Sequence, residues 1–253
     1  KTTSTLDGHR FASDFLAKGK AAFATIEQTL AEYVKTTLGM DSSGKTMPIA
    51  NVPNVFPLVL GLDTMSLIHG FQVSNEHISF VGLRLPRALS ASVIGEGCER
   101  ISVPGIKFNV GQVESESGQA IFQKARITAK KIKARFSIDV GLLTSLRLDT
   151  PGENGGPGPL QAARAQLLLA IALWKVAAFL DLLSVELSLR TECKLRIKKD
   201  VKPQIALEGG DNPAIQDFPF TAIAAATLAT AIGTALPGTE AELADRSPRV
   251  LQF

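Results

Sequence analysis

The amino-acid sequence predicts an α+β fold, and three observations carry that prediction. Two stretches, Lys131–Val140 and Val185–Ile197, alternate strictly between apolar and polar residues, the period of a strand with one covered face. Between them, Leu160–Leu183 is apolar on most helical faces and reads as a largely buried helix. Two shorter strand-like runs, Gly70–Ser74 and His77–Leu85, flank Asn75-Glu76, which stands where a hairpin turn belongs.

Taken in order, residues 1–20 begin as a polar segment, expected as loop and then a short helix. Phe23, Ile26, Leu30, Val34 and Leu38 recur at helical spacing, and Gly39 stops them. Met40–Pro57 has three prolines and no period, so a surface loop is expected there. Val55–Leu62 is an apolar run for the interior, and Asp63 is placed to cap a short helix ending at His69-Gly70. Leu89–Ile94 and Gly105–Val110 are further strand candidates, and Gly111–Gln123 is a polar hairpin or loop. In Lys131–Val140, Ile132, Ala134, Phe136, Ile138 and Val140 are expected on a core and Lys131, Lys133 and Arg135 in solvent.

Gly141–Leu148 follows as a short helix, and Asp149–Pro159 is rich enough in Gly and Pro to be a flexible loop. In the last alternating strand, Val185 to Ile197, the odd positions share the covered side and the outer face turns basic. Phe220–Leu236 is uncharged, short for a membrane span and poor in Leu, Ile and Phe, which predicts a packed helix. Together these elements form a sandwich with helices on one sheet face, the ferredoxin-like or RNA-recognition-motif layout. That core occupies residues 1–199, and 200–253 form a C-terminal extension of different character.

The 253 residues allow one large core, or a core with an extension. A net charge of +3 is mild, so any polyanion site must come from local clustering. Cys98 and Cys193 lie far apart without CxxC or Cys/His spacing, which argues against zinc and a disulfide framework and fits a reducing cytoplasm. The sequence starts at Lys1 without a methionine, so preceding residues are expected; no signal peptide is visible.

Gly39–Thr46 matches G-x-x-x-x-G-K-[ST], the phosphate loop of nucleotide-hydrolysing enzymes. It follows an amphipathic helix instead of a buried strand, and Pro48, Pro53 and Pro57 occupy the place of the helix that should follow. The three histidines have no nucleophile signature beside them, His69 reads as a cap or satisfied core group, and metal-ligand spacing is absent. The remaining chemistry is basic. Lys131, Lys133 and Arg135 recur about 6.6 to 6.8 Å apart on one face, a track for phosphates or an edge strand protected by lysines. His9-Arg10, Arg84 and Arg87 around Pro86, Lys107, and the Arg190/Lys194/Arg196 group add to it. Without sheet aromatics to stack on bases, a nucleic acid would be held by its backbone.

GLRLPRALSASVIGEG (Gly82–Gly97) brings a resemblance into view, with LDGHRFASDFL (Leu6–Leu16), FPLVLGLDTMSLIHGF (Phe56–Phe71), ITAKKIKARFSIDVGLL (Ile127–Leu143) and ALWKVAAFL…LSLRTECKL (Ala172–Leu195). In this order the patches resemble the backbone subunit of the type I-G (formerly I-U) CRISPR Cascade complex. The resemblance implies a modified RNA-recognition-motif (RAMP) core with an inserted hairpin or thumb, its first strand expected before Lys1. Such subunits are not known as enzymes and need no cofactor. They stack as copies along one CRISPR RNA (crRNA), present its spacer to a target DNA strand, and assemble with a large subunit and a crRNA-processing or handle-binding subunit. A helicase-nuclease is recruited, and no membrane is involved. Gly111–Gln123 is the candidate thumb. The candidate RNA-binding residues, resting on charge and pattern, are His9, Arg10, Arg84, Arg87, Lys107, Lys131, Lys133 and Arg135. The rival expectation is a phosphate-handling enzyme using Gly39–Thr46, and a third is a scaffold whose basic strands only discourage aggregation.

Overall fold

A computed structural model describes residues 30–74, 77–103, 124–149, 156–190, 193–198, 200–206 and 215–217, with 230 and 234. The chain forms two units, Lys1–Ser90 with Ile138–Phe253, and Ala91–Ser137. It mixes helices with small antiparallel strand pairs, as an α+β reading requires; among the described residues the strands pair two by two.

In the first unit, helix α1 (Leu30–Leu38) buries Leu30, Val34 and Leu38, one stripe at helical spacing. It ends at Gly39 as expected: Met40 N donates to Lys35 O at 2.8 Å, and the Asn51 amide donates to Leu38 O at 2.9 Å. A 3₁₀ turn at Ile49–Asn54 leads into α2 (Val55–His69). α2 is broken at Asp63, whose backbone (φ −152°, ψ 84°) is extended. Its carboxylate accepts from Met65 N at 3.2 Å and from Ser66 Oγ at 2.9 Å, the capping role that the sequence assigns to it.

Gly70 then turns the chain with φ 79°, and a Cβ there would stand 2.6 Å from Leu85 O. Strands β1 (Phe71–Ser74) and β2 (Ser79–Leu85) pair antiparallel, as expected, with Phe71 opposite Leu85 and Gln72 opposite Arg84. From Gln72 to Ser74, two steps on β1 face five on β2, Arg84 to Ser79. Gly82 (φ 81°) lies in that irregularity, which lets Phe80 and Leu85, of opposite parity, both be buried.

After the second unit, Asp139 caps α3 (Val140–Ser145) by accepting from Leu142 N at 2.8 Å. α4 (Gln161–Val185) buries Leu167, Leu168, Ile171 and Ala172 among others, joining the core built from α1, α2 and the β1–β2 pair. By length and composition, α4 and the 21-residue run Ile49–His69 are both apolar enough to cross a membrane, yet each contributes core residues. The Gly/Pro-rich loop does not begin at Asp149. That residue is 5% exposed, and its carboxylate accepts from Leu160 N and from Arg164 NH1, both at 2.8 Å. Gln161 Oε1 accepts from Leu148 N at 2.7 Å and its Nε2 donates to Leu146 O, so the 146–149 segment is tied to the start of α4.

The alternation from Val185 to Ile197 is not one strand. It folds into β7 (Leu187–Arg190) and β8 (Cys193–Leu195), with Leu187 opposite Leu195 and Ser188 opposite Lys194. The register then shifts so that Arg190 stands opposite Cys193, and the alternation of the sequence carries no mark of where the chain reverses. In the extension, β9 (Gln204–Ala206) and β10 (Ile215–Asp217) pair antiparallel, which the sequence does not announce. Of the expected helix at 220–236, Thr230 and Thr234 are described, joined by a Thr234 Oγ1 to Thr230 O bond of 2.9 Å.

The second unit is a ribbon. β3 (Leu89–Glu96) pairs with β6 (Lys131–Ile138), and β4 (Glu99–Val103) with β5 (Lys124–Thr128). Lys130 N donates to Glu96 O at 3.0 Å, and beyond it the ladder continues with Glu99 opposite Thr128 down to Val103 opposite Lys124. Here the covered apolar face expected for Lys131–Val140 is corrected. Ile132 is 52% exposed, Ala134 and Val140 are exposed, and Phe136 and Ile138 are only partly buried. Val93 on β3 is 54% exposed. A two-stranded pair supplies no covering layer of its own, and alternation reports two unlike faces without saying that one is buried.

Candidate nucleic-acid interface

Of the sequence-derived candidates, His9, Arg10 and Lys107 lie outside the described residues, as does the candidate thumb Gly111–Gln123. Arg84 and Arg87 belong to the first unit, and Lys131, Lys133 and Arg135 to the ribbon. The ribbon cations share one strand at alternate positions, and all three are exposed. They differ in their partners. Lys133 donates to Glu96 Oε1, and this bond holds the Glu96 carboxyl below its usual range. Lys130 pairs with Glu99 at 3.3 Å. Lys131 and Arg135 form no ion pair among the described residues.

Charge is unevenly divided between the units. Residues 91–137 hold eight Lys and Arg against four Glu, a net +4, while the whole chain is +3; the remainder is therefore about neutral, at −1. The ribbon is thus where a polyanion would meet the strongest field. The chain leaves β4 at Val103 and returns on β5 at Lys124, directly opposite, so the candidate thumb is inserted between paired strands.

In the first unit, Arg84 stands opposite Gln72 on the solvent side of the β1–β2 pair and lines an open cavity of about 300 Å³ with Ser74, Ser79 and Gly82. Arg87 is exposed in the link between β2 and β3. The basic end of the last strand is neutralised locally. Lys194 and Arg196 both reach Glu186, at 2.7 and 3.4 Å, and the Lys194 bond lowers the Glu186 pKa first among its causes.

The Gly39–Thr46 segment closes on itself. Asp41 Oδ1 accepts from Lys45 N at 3.0 Å, Thr46 N at 3.2 Å and Ser43 Oγ at 2.8 Å, hydrogen bonds that lower the Asp41 pKa to about 2. Two amides that a phosphate loop would offer to its ligand are thus bonded to a carboxylate of the same loop. Gly44 also has a structural reason to be glycine: its carbonyl accepts from Ser79 N at 2.8 Å, and a Cβ would overlap the His77 carbonyl. Among the described residues no group of His, Cys, Asp and Glu is arranged to hold a metal ion.

Sequence reasoning passed over Lys175. The signal was a lone lysine midway along a long apolar helix, and the structure sets its ammonium against His69 Nε2. Compared with known proteins, the chain matches no family model and no curated sequence.

Proposed function

We propose that this chain is a non-catalytic subunit that grips single-stranded RNA by its backbone. Following the resemblance, it polymerises along a crRNA in a type I-G Cascade complex in the cytoplasm and presents the spacer to target DNA. On this reading the first unit carries a modified RNA-recognition-motif (RAMP) core, and the 91–137 ribbon, with Gly111–Gln123 inserted in it, is the thumb. Other copies of the chain, the large subunit, the handle-binding subunit and the helicase-nuclease are the partners. The observation that carries the reading is the ribbon itself: net +4, with Lys131, Lys133 and Arg135 in line on an exposed strand. Charge in a row without stacking aromatics favours phosphate contacts over base readout.

The test is binding of two unrelated single-stranded RNAs by anisotropy, measured across salt concentration. A backbone gripper gives similar affinities for both, and log K falls with log salt by about 0.7 per phosphate neutralised, hence by about 2 for three ribbon cations. Salt-independent binding, or strong preference for one sequence, contradicts it. Against the enzymatic rival, Lys45→Ala leaves RNA binding intact; nucleotide hydrolysis that this change abolishes would restore the rival.

A further inference from the structure

Lys175 interrupts α4 near its middle, half-buried, with its ammonium against His69 Nε2 and 3.8 Å from Met65 Sδ. It forms no ion pair among the described residues. An ammonium withdrawn from water is costly unless its three N–H groups find acceptors, and an imidazole nitrogen and a thioether are a poor set. The backbone at Arg87 runs beside the end of α2, and the Arg87 charge is felt at His69. Ala88 N donates to Ile68 O at 2.9 Å, and the backbone of Gly70, next to His69, packs so closely that a Cβ there would stand 3.0 Å from Arg87 N.

We propose that Lys175, His69 and Arg87 form a seat for a phosphate-class oxyanion. Three donors arrive from three segments: the middle of α4, the end of α2, and the β2–β3 link. One carboxylate faces them, Asp63 on α2, and its oxygens already accept from Met65 N and Ser66 Oγ. Burial first, then the charges of Lys175 and Arg87, holds the imidazole below its ordinary pKa, while burial lowers that of Lys175. His69 is therefore neutral near pH 7 and accepts from Lys175. An oxyanion supplies the acceptors that Lys175 lacks and draws a proton onto His69, so both side chains then donate to it. Binding takes up a proton and tightens as pH falls towards the imidazole range. The seat does not depend on the ribbon's role.

Ring-proton NMR of the full chain at constant ionic strength tests this, with His69→Gln identifying the His69 signals. Titration with inorganic phosphate at pH 7 is expected to move them towards imidazolium positions. Lys175→Met, an apolar residue in an apolar helix, and the exposed Arg87→Gln should each weaken that response about tenfold. If dimethyl phosphate also moves the signals, the seat takes phosphodiesters of a nucleic-acid chain; if inorganic phosphate alone does, it takes free phosphate or a monoester. Signals unmoved by either anion, or both variants responding like the parent, overturn the proposal. RNA binding that persists with an unresponsive His69 overturns the seat and leaves the ribbon reading standing.

Discussion

Asp149→Ala removes a carboxylate that both pairs with Arg164 and accepts from the Leu160 N–H at the start of α4. The substituted protein retains a guanidinium whose side chain is 20% exposed, held by Leu148 O alone, and an unsatisfied N–H beside it. Breaking a buried ion pair by deleting one partner costs about 3 to 5 kcal/mol; the partial exposure of Arg164 lets water reach it and puts the expected loss near the lower end, about 3 kcal/mol. Loss of the helix-start acceptor lies within that figure and alone accounts for about 1 kcal/mol. With a urea slope of about 3 kcal/mol per molar at most, the midpoint should fall by about 1 M or more. Asp149→Asn, which keeps one acceptor and the shape, should lose less. Asp149→Leu combined with Arg164→Met should recover part of the loss, because no charge is left unpaired. A midpoint shift below about 0.3 M for Asp149→Ala would refute the claim that this pair anchors the 146–149 segment to α4.

Gly70→Ala places a side chain at φ 79° with its Cβ 2.6 Å from Leu85 O, so a loss of about 2 kcal/mol is expected in the same denaturation assay, and near-neutral behaviour would count against the turn. Asp41 should titrate with a carboxyl ¹³C midpoint near 2, far below the ordinary 3.8. Because its folded pKa is depressed, the loop's contribution to stability is complete above the ordinary value and is lost as pH falls through about 2; a midpoint near 3.8 would mean that the amides of Lys45 and Thr46 are free. Glu96→Gln spares Lys133 the carboxylate it must leave to reach phosphate, so RNA should bind several-fold more tightly with a similar salt slope; unchanged affinity would show that Lys133 does not reach phosphate.

Much of the first unit was legible because its signals are local. Leu30, Val34 and Leu38 recur on one helical face, Asp63 stands where a cap is required, and the runs that flank Asn75-Glu76 pair as β1 and β2. What sequence could not give depends on partners far along the chain. Alternation in Lys131–Ile138 separates two faces, but whether one is covered depends on packing that alternation does not report, and here both faces are largely exposed. The reversal between β7 and β8 is accompanied by a register shift that pairs Arg190 with Cys193, and an unbroken alternation gives no sign of it. Asp149 looked like the first residue of a Gly/Pro loop, and only its bond to Arg164, 15 positions on, makes it a buried anchor. Within the candidate site, the exposed cations were readable and their neutralisation was not. Glu96 lies 37 positions from Lys133, and nothing local to either residue links them.

The most direct measurement compares the salt dependence of single-stranded RNA binding in the parent with that of Lys131→Glu/Lys133→Glu/Arg135→Glu. All three side chains are exposed on the ribbon, so the fold should be retained and thermal unfolding should be nearly unchanged. The account predicts weaker binding and a log K against log salt slope flatter by about 2, because each reversed cation no longer neutralises a phosphate. A triple variant that folds normally and keeps the parent's affinity and slope would contradict the central claim that the ribbon grips the RNA backbone.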